Sequence, residues 1–197
     1  MELNPTTTAF LAMHFENDIV GAEGAFASFF RAEIEKHNVI ATAERLLTGA
    51  RQAGATVVYA CVAYSEGHGN LVTNIPLAGA VAQMQCLLDG TPGTEIIAEL
   101  APQASDWTST NAKVSAFAGC DLDDRLRAAG IDTVVLFGVA TNISVESTGR
   151  AAGDLGYRVV VVADGCSAAA QEAHDATLAS FGLLGEVASS ADILAAL

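Results

Sequence analysis

Residues 133–150 read TVVLFGVATNISVESTGR, and this stretch decides the fold. Thr133–Phe137 is an apolar, largely β-branched run without polar alternation, the pattern of a strand covered on both faces. Gly138 follows it, and Thr141 or Asn142 stands where a helix N-cap belongs. Val145, Thr148, Ala152 and Leu155 then recur at helical spacing, and Gly156 ends the pattern, so the sequence predicts a helix through Leu155. A buried strand that turns sharply into an amphipathic helix is the repeating half of a βαβ unit.

The same alternation extends outward. Ala9–Met13 and Ala55–Val62, the latter entered through Gly54, read as strands before it, and Arg158–Ala163 as one after it. A weaker strand is expected near Asp106–Lys113 and a last short one around Glu186–Ala188. Val39–Ala53 places Ile40, Ala43, Leu46, Leu47 and Ala50 on one helical face, and Leu122, Leu126 and Ala129 precede a stop at Gly130. Ala170–Leu184 and Ala191–Leu197 are further predicted helices. Gly21–Phe30 and Ser65–Thr73 are the least regular segments. No linker or repeat interrupts the pattern, so residues 1–197 read as one α/β domain, a parallel sheet between two helical layers.

Composition narrows the function. The 197 residues are 51% hydrophobic and 16% charged, enough to bury a full core. A formal net charge of −14 with nine basic residues opposes binding to nucleic acid or an anionic membrane, both held by clustered Lys and Arg. No apolar run reaches the roughly 20 residues that span a bilayer, and no signal-peptide pattern opens the chain. Cytoplasmic is the expected location. Cys61, Cys86, Cys120 and Cys166 are dispersed without a CxxC pair, which suggests neither a zinc knuckle nor a disulfide framework.

In open parallel sheets, ligands sit beyond the carboxyl ends of the strands. His14 follows the first predicted strand, Lys113 ends the third, and Ser144 opens the helix after the fourth. Three chemically capable side chains are therefore expected at one edge.

Three segments, Thr8–Asp18 (TAFLAMHFEND), Lys113–Phe117 (KVSAF) and Gly138–Arg150 (GVATNISVESTGR), together with LDGTPGTEI from Leu88, carry a further reading. In order and spacing they resemble the isochorismatase-like cysteine hydrolases, from Thr8 to about Ala195. The resemblance implies a six-stranded parallel sheet ordered 3-2-1-4-5-6, no organic cofactor, and a homo-oligomer, dimer or tetramer. It also implies a triad of aspartate, lysine and cysteine, a non-proline cis peptide at Val139–Ala140, and oxyanion donors at the Ala140 and Ser144 amides. On that pattern the aspartate position holds His14, the lysine position Lys113 and the cysteine position Ser144.

The two departures agree chemically. A serine has no useful anionic fraction at neutral pH, and an imidazole is its usual base. The Lys113 ammonium, expected to be desolvated, would disfavour the imidazolium. This reading is a hydrolase of a small amide or ester with a His14–Lys113–Ser144 triad. Two alternatives stand beside it: acid–base chemistry without a nucleophile, such as vinyl-ether cleavage, and a catalytically inactive small-molecule-binding or interaction protein. From sequence alone Ser144 could also be an N-terminal helix residue, a vestige, or an engineered Cys→Ser exchange.

Phe15, Glu16, Tyr64 and Trp107 are candidates to line the substrate pocket, although aromatic residues are more often plain core. Some nicotinamidase-like relatives bind a metal through Asp-x-His, but the matching stretch here, Ala60–Ser65, is ACVAYS, so no metal is expected at His68 or His14. His174 shares a helical face with Leu178 and Phe181 and reads as structural. Cys166, placed after a strand end, reads as a small core residue.

Overall fold

Six strands form one parallel sheet in the order β3-β2-β1-β4-β5-β6, in a computed structural model that describes residues 1–197. They are β1 (Thr8–Met13), β2 (Thr56–Val62), β3 (Trp107–Asn111), β4 (Thr133–Val139), β5 (Arg158–Ser167) and β6 (Glu186–Ala188). The expected order is the observed one. β1 and β4 lie at the centre, and every residue of both is buried, as their unbroken apolar runs require.

The helices are α1 (Asn17–Val20), α2 (Ala27–Lys36), α3 (Val39–Ala53), α4 (Pro76–Met84), α5 (Leu122–Ala128), α6 (Glu146–Asp154), α7 (Gln171–Phe181) and α8 (Ser190–Ala195). Successive β4 side chains point to opposite layers. Leu136 and the α7 residue Phe181 both crowd Gly149 of α6, whereas Phe137 and Leu46 of α3 meet at Gly165 of β5. α8 closes the α3 layer through Leu194, which lies against Gly49.

α3 keeps its sequence-expected bounds, and its buried stripe includes Val39, Ala43, Leu46, Leu47 and Ala50, with Ile40 only half-buried. Gly54, at φ +77°, ends it and returns its amide to the Ala50 and Arg51 carbonyls. α2 and α4 were not expected from the sequence. β5 runs on to Ser167, so Cys166 lies inside a strand rather than after one.

The predicted cap after β4 is corrected. Neither Thr141 nor Asn142 caps a helix: Thr141–Val145 is a wide π-type turn, and α6 begins only at Glu146. The Thr141 hydroxyl is instead hydrogen-bonded to His174 Nδ1 of α7 at 2.8 Å. No helix is long and apolar enough to cross a membrane.

Candidate active site

The site begins where β1 and β4 end together. Met13 is paired with Gly138, and a Cβ built on Gly138 would lie 2.1 Å from the Met13 carbonyl oxygen. Gly138 also has φ +125°, so this close approach requires glycine. His14, the residue after β1, takes φ +54°, a left-handed conformation uncommon outside glycine. Its amide continues the ladder to the Ala60 carbonyl at 3.0 Å. Opposite it, the Val139–Ala140 peptide is cis, and the Ser144 hydroxyl donates to the Val139 carbonyl at 2.9 Å.

Lys113 reaches the same place on a short clamped loop. Asn111, the last residue of β3, accepts the Lys113 amide hydrogen at 2.9 Å and donates its side-chain amide to the Ser115 carbonyl at 2.8 Å. Thr148 of α6 accepts the Ala116 amide hydrogen at 3.0 Å. The KVSAF and VEST segments are thus tied to each other directly. The Lys113 side chain is exposed, which corrects the expectation of a desolvated ammonium, and it makes no hydrogen bond or ion pair to another residue.

A third clamp explains LDGTPG. Asn17 donates to the Pro92 carbonyl at 2.9 Å, and the Asp18 carboxylate accepts the Leu87 amide at 2.7 Å. A side chain on Gly93 would strike that carboxylate. Sequence reasoning missed the roles of Asn17, Asp18 and Thr148, although all lie inside the segments it singled out.

These elements enclose a cavity of about 80 Å³ whose lining is mostly apolar. His14, Lys113, Val139, Ala140, Ser144 and Tyr64 all border it. Phe26 just before α2, Phe30 within it, Leu77 and Val81 of α4, and Leu87 supply further wall that the sequence did not reveal.

Three lining candidates are corrected. Phe15 is fully buried against the Phe137 ring, 6.1 Å between centroids, and does not border the cavity. Trp107 opens β3 and therefore lies at the amino edge of the sheet, beneath the Arg125 guanidinium at 4.7 Å. Glu16 also misses the cavity wall. It is buried behind His14, where its Oε1 accepts the Val62 amide hydrogen at 2.6 Å.

The remaining groups are poor nucleophiles or ligands. Burial raises the Cys61 thiol strongly, with the Glu16 charge adding to the effect, and burial pushes Cys86 up to about 11 and Cys166 up to about 12. All three therefore stay thiols at neutral pH. His68 is hydrogen-bonded to the Cys86 carbonyl at 2.8 Å, and no three His, Cys, Asp or Glu residues cluster as metal ligands.

Residues 8–192 match the Isochorismatase domain. The chain belongs to the isochorismatase family. Within it, the Bacillus subtilis isochorismatase family protein YwoC is 37% identical over 142 residues, covering 71% of this chain and 72% of that protein. The ureidoacrylate amidohydrolase RutB of Rhizobium rhizogenes is 31% identical over 175 residues, 82% of this chain and 71% of the relative. Among solved structures, a cysteine hydrolase from Pseudomonas syringae pv. phaseolicola superposes with a TM-score of 0.87 at 25% identity, covering 100% of this chain and 94% of that one. The isochorismatase-family fold thus accounts for nearly every residue.

Proposed function

We propose that this protein hydrolyses a small, largely apolar amide or ester with Ser144 as nucleophile, His14 as base and Lys113 as electrostatic support. The observation that carries the reading is that His14 and Ser144, brought to adjacent strand ends by the Met13–Gly138 pairing, border one apolar cavity together with Lys113. Relatedness to an amidohydrolase and to a cysteine hydrolase supports cleavage of a C–N or C–O bond. The apolar walls favour an uncharged acyl group, with Lys113 at the margin as the only cation bordering the cavity.

In this mechanism the Ser144 hydroxyl turns from the Val139 carbonyl toward His14. Its proton passes to the imidazole as Oγ bonds to the substrate carbonyl carbon, and the carbonyl π pair moves onto oxygen. The Ala140 and Ser144 amides are the proposed donors to that oxyanion. Collapse breaks the bond to the leaving group, which takes the proton from His14. Water then repeats the sequence on the acyl-serine, freeing the acid and restoring the hydroxyl. Lys113, unpaired in the free protein, is available to offset negative charge on the substrate.

A second reading rests on the hydrogen bond from Ser144 to Val139. A hydroxyl held by a backbone carbonyl suits a structural serine, leaving His14 to act in acid–base chemistry without a covalent intermediate.

Intact-mass analysis during turnover of activated esters and small amides tests both. An acyl adduct on the native protein, absent from Ser144→Ala, supports the nucleophile. Turnover that survives Ser144→Ala but not His14→Ala supports the second reading, and ligand binding without turnover defeats both.

A further inference from the structure

Only three buried side-chain polar atoms lack a hydrogen-bond partner, and two of them, His14 Nδ1 and Glu16 Oε2, belong to neighbouring groups. His14 Nδ1 lies 3.5 Å from Glu16 Oε1, just beyond hydrogen-bond range. We propose that Glu16 is the positioning carboxylate of this site: it accepts the His14 Nδ1–H, leaves Nε2 unprotonated toward the cavity, and offsets the charge His14 gains on taking a proton. The consequence for Ser144 rests on the hydrolase reading above, whereas the pairing itself stands on geometry.

Several observations converge on it. Glu16 is 0% exposed, and an ionised carboxylate so placed needs a hydrogen-bonding or cationic partner. His14 is the only basic side chain within ion-pair distance of it. The carboxylate is held in place: Oε1 takes the Val62 amide hydrogen, Glu16 bridges Ile96, and the Phe15 carbonyl accepts the Ile97 amide at 3.0 Å. Oε2 makes no other bond. Oε1 is already taken by the Val62 amide, so the free Oε2 is the atom that accepts Nδ1–H in this proposal, after a small rotation of the imidazole that satisfies both orphan atoms.

A neutral imidazole carries its proton on one nitrogen, and the hydrogen bond to that nitrogen decides which. A carboxylate behind Nδ1 selects the tautomer whose Nε2 is an acceptor, the arrangement that orients a histidine base next to serine. Of the other ionisable side chains nearby, Tyr64 and Lys113 border the same cavity and Cys61 lies close to Glu16. None of them is hydrogen-bonded to Nδ1. In this arrangement the carboxylate, anchored on the Val62 amide, acts on Ser144 only through the histidine.

The test is the imidazole ¹⁵N spectrum of histidine-labelled protein at about pH 8, where imidazoles are mostly neutral. The His14 signals are assigned by their loss in His14→Asn. The native protein is expected to show a protonated Nδ1 and a bare Nε2. Glu16→Gln is nearly isosteric and keeps an acceptor for the Val62 amide, but it turns an NH₂ toward Nδ1. It should therefore reverse the tautomer and lower kcat by roughly 10³–10⁴-fold, with KM changed by less than about threefold. A native Nε2–H tautomer overturns the proposal even if the variant does not fold, and so does a tautomer unmoved by Glu16→Gln. If the tautomer reverses while Ser144→Ala retains turnover, the positioning role stands and the serine mechanism falls.

Discussion

The Thr148 hydroxyl oxygen accepts the Ala116 amide hydrogen at 3.0 Å, joining the Lys113 loop to the helix that follows Ser144. Thr148→Val keeps the shape and removes the acceptor, leaving a buried N–H unpaired at a cost of about 1–3 kcal/mol. The urea midpoint should fall with an unchanged slope, and kcat/KM should fall with it, while Thr148→Ser retains both. A lower midpoint with undiminished kcat/KM would show that this bond does not position the loop.

Gly138→Ala should be damaging for a different reason. The new Cβ meets the Met13 carbonyl at 2.1 Å and also opposes φ +125°, so at least about 1–3 kcal/mol is lost. Gly153→Ala is the control, because Gly153 lies within α6 with nothing inside 4 Å of the added methyl. It should stabilise the fold by about 0.4–1 kcal/mol. Equal denaturation midpoints for the two variants would contradict the close approach of β1 and β4.

Lys113 offers the opposite profile. Its side chain is exposed and unpaired, so Lys113→Met should change stability by no more than about 0.5 kcal/mol. Loss of a transition-state cation should nevertheless lower kcat by about 10²–10³-fold. Denaturation and steady-state kinetics on one preparation separate these effects, and unchanged turnover removes Lys113 from the mechanism.

The partial burial of His174 makes stability depend on pH. Burial lowers the His174 pKa from 6.5, and His37 adds to the decrease, while Asp175 and Glu33 oppose it. A histidine with a depressed folded pKa binds protons more readily when unfolded. Its contribution is therefore complete above pH 6.5 and declines as pH falls through the folded value. The denaturation midpoint should fall more steeply between about pH 7.5 and pH 5 for the native protein than for His174→Gln, since His is the side chain that titrates there. Parallel slopes would exclude His174 as the source.

Strands were legible wherever burial on both faces left an unbroken β-branched run, as in Thr133–Phe137 and Arg158–Ala163. α3 was legible because a helical stripe ends at a left-handed Gly54. α4 was not, since PLAGAVAQM is apolar on nearly all sides and carries no stripe, and with it went two walls of the cavity. Trp107 precedes Lys113 by six residues, roughly 20 Å of extended chain, so strand direction alone could have excluded it from the carboxyl edge. Glu16 was sought as a lining residue, yet it is fully buried, and it is His14, two residues before it, that borders the cavity. One-dimensional spacing does not tell a residue at a surface from one directly behind it.

The Met13–Gly138 pairing also governs when the site can come into being. β1 is a central strand made at the start of the chain, and one of its two neighbours, β4, is made only at residues 133–139. Until β4 is in place, β1 has a bare hydrogen-bonding edge, and His14 faces nothing that carries Ser144. Such distant pairings are slow to close, and the unpaired strand edge invites association with other chains. A nascent chain that stops short of β4 thus holds half a site and an adhesive rim. Association through that edge of β1 should cease once the fourth strand has emerged and paired with it.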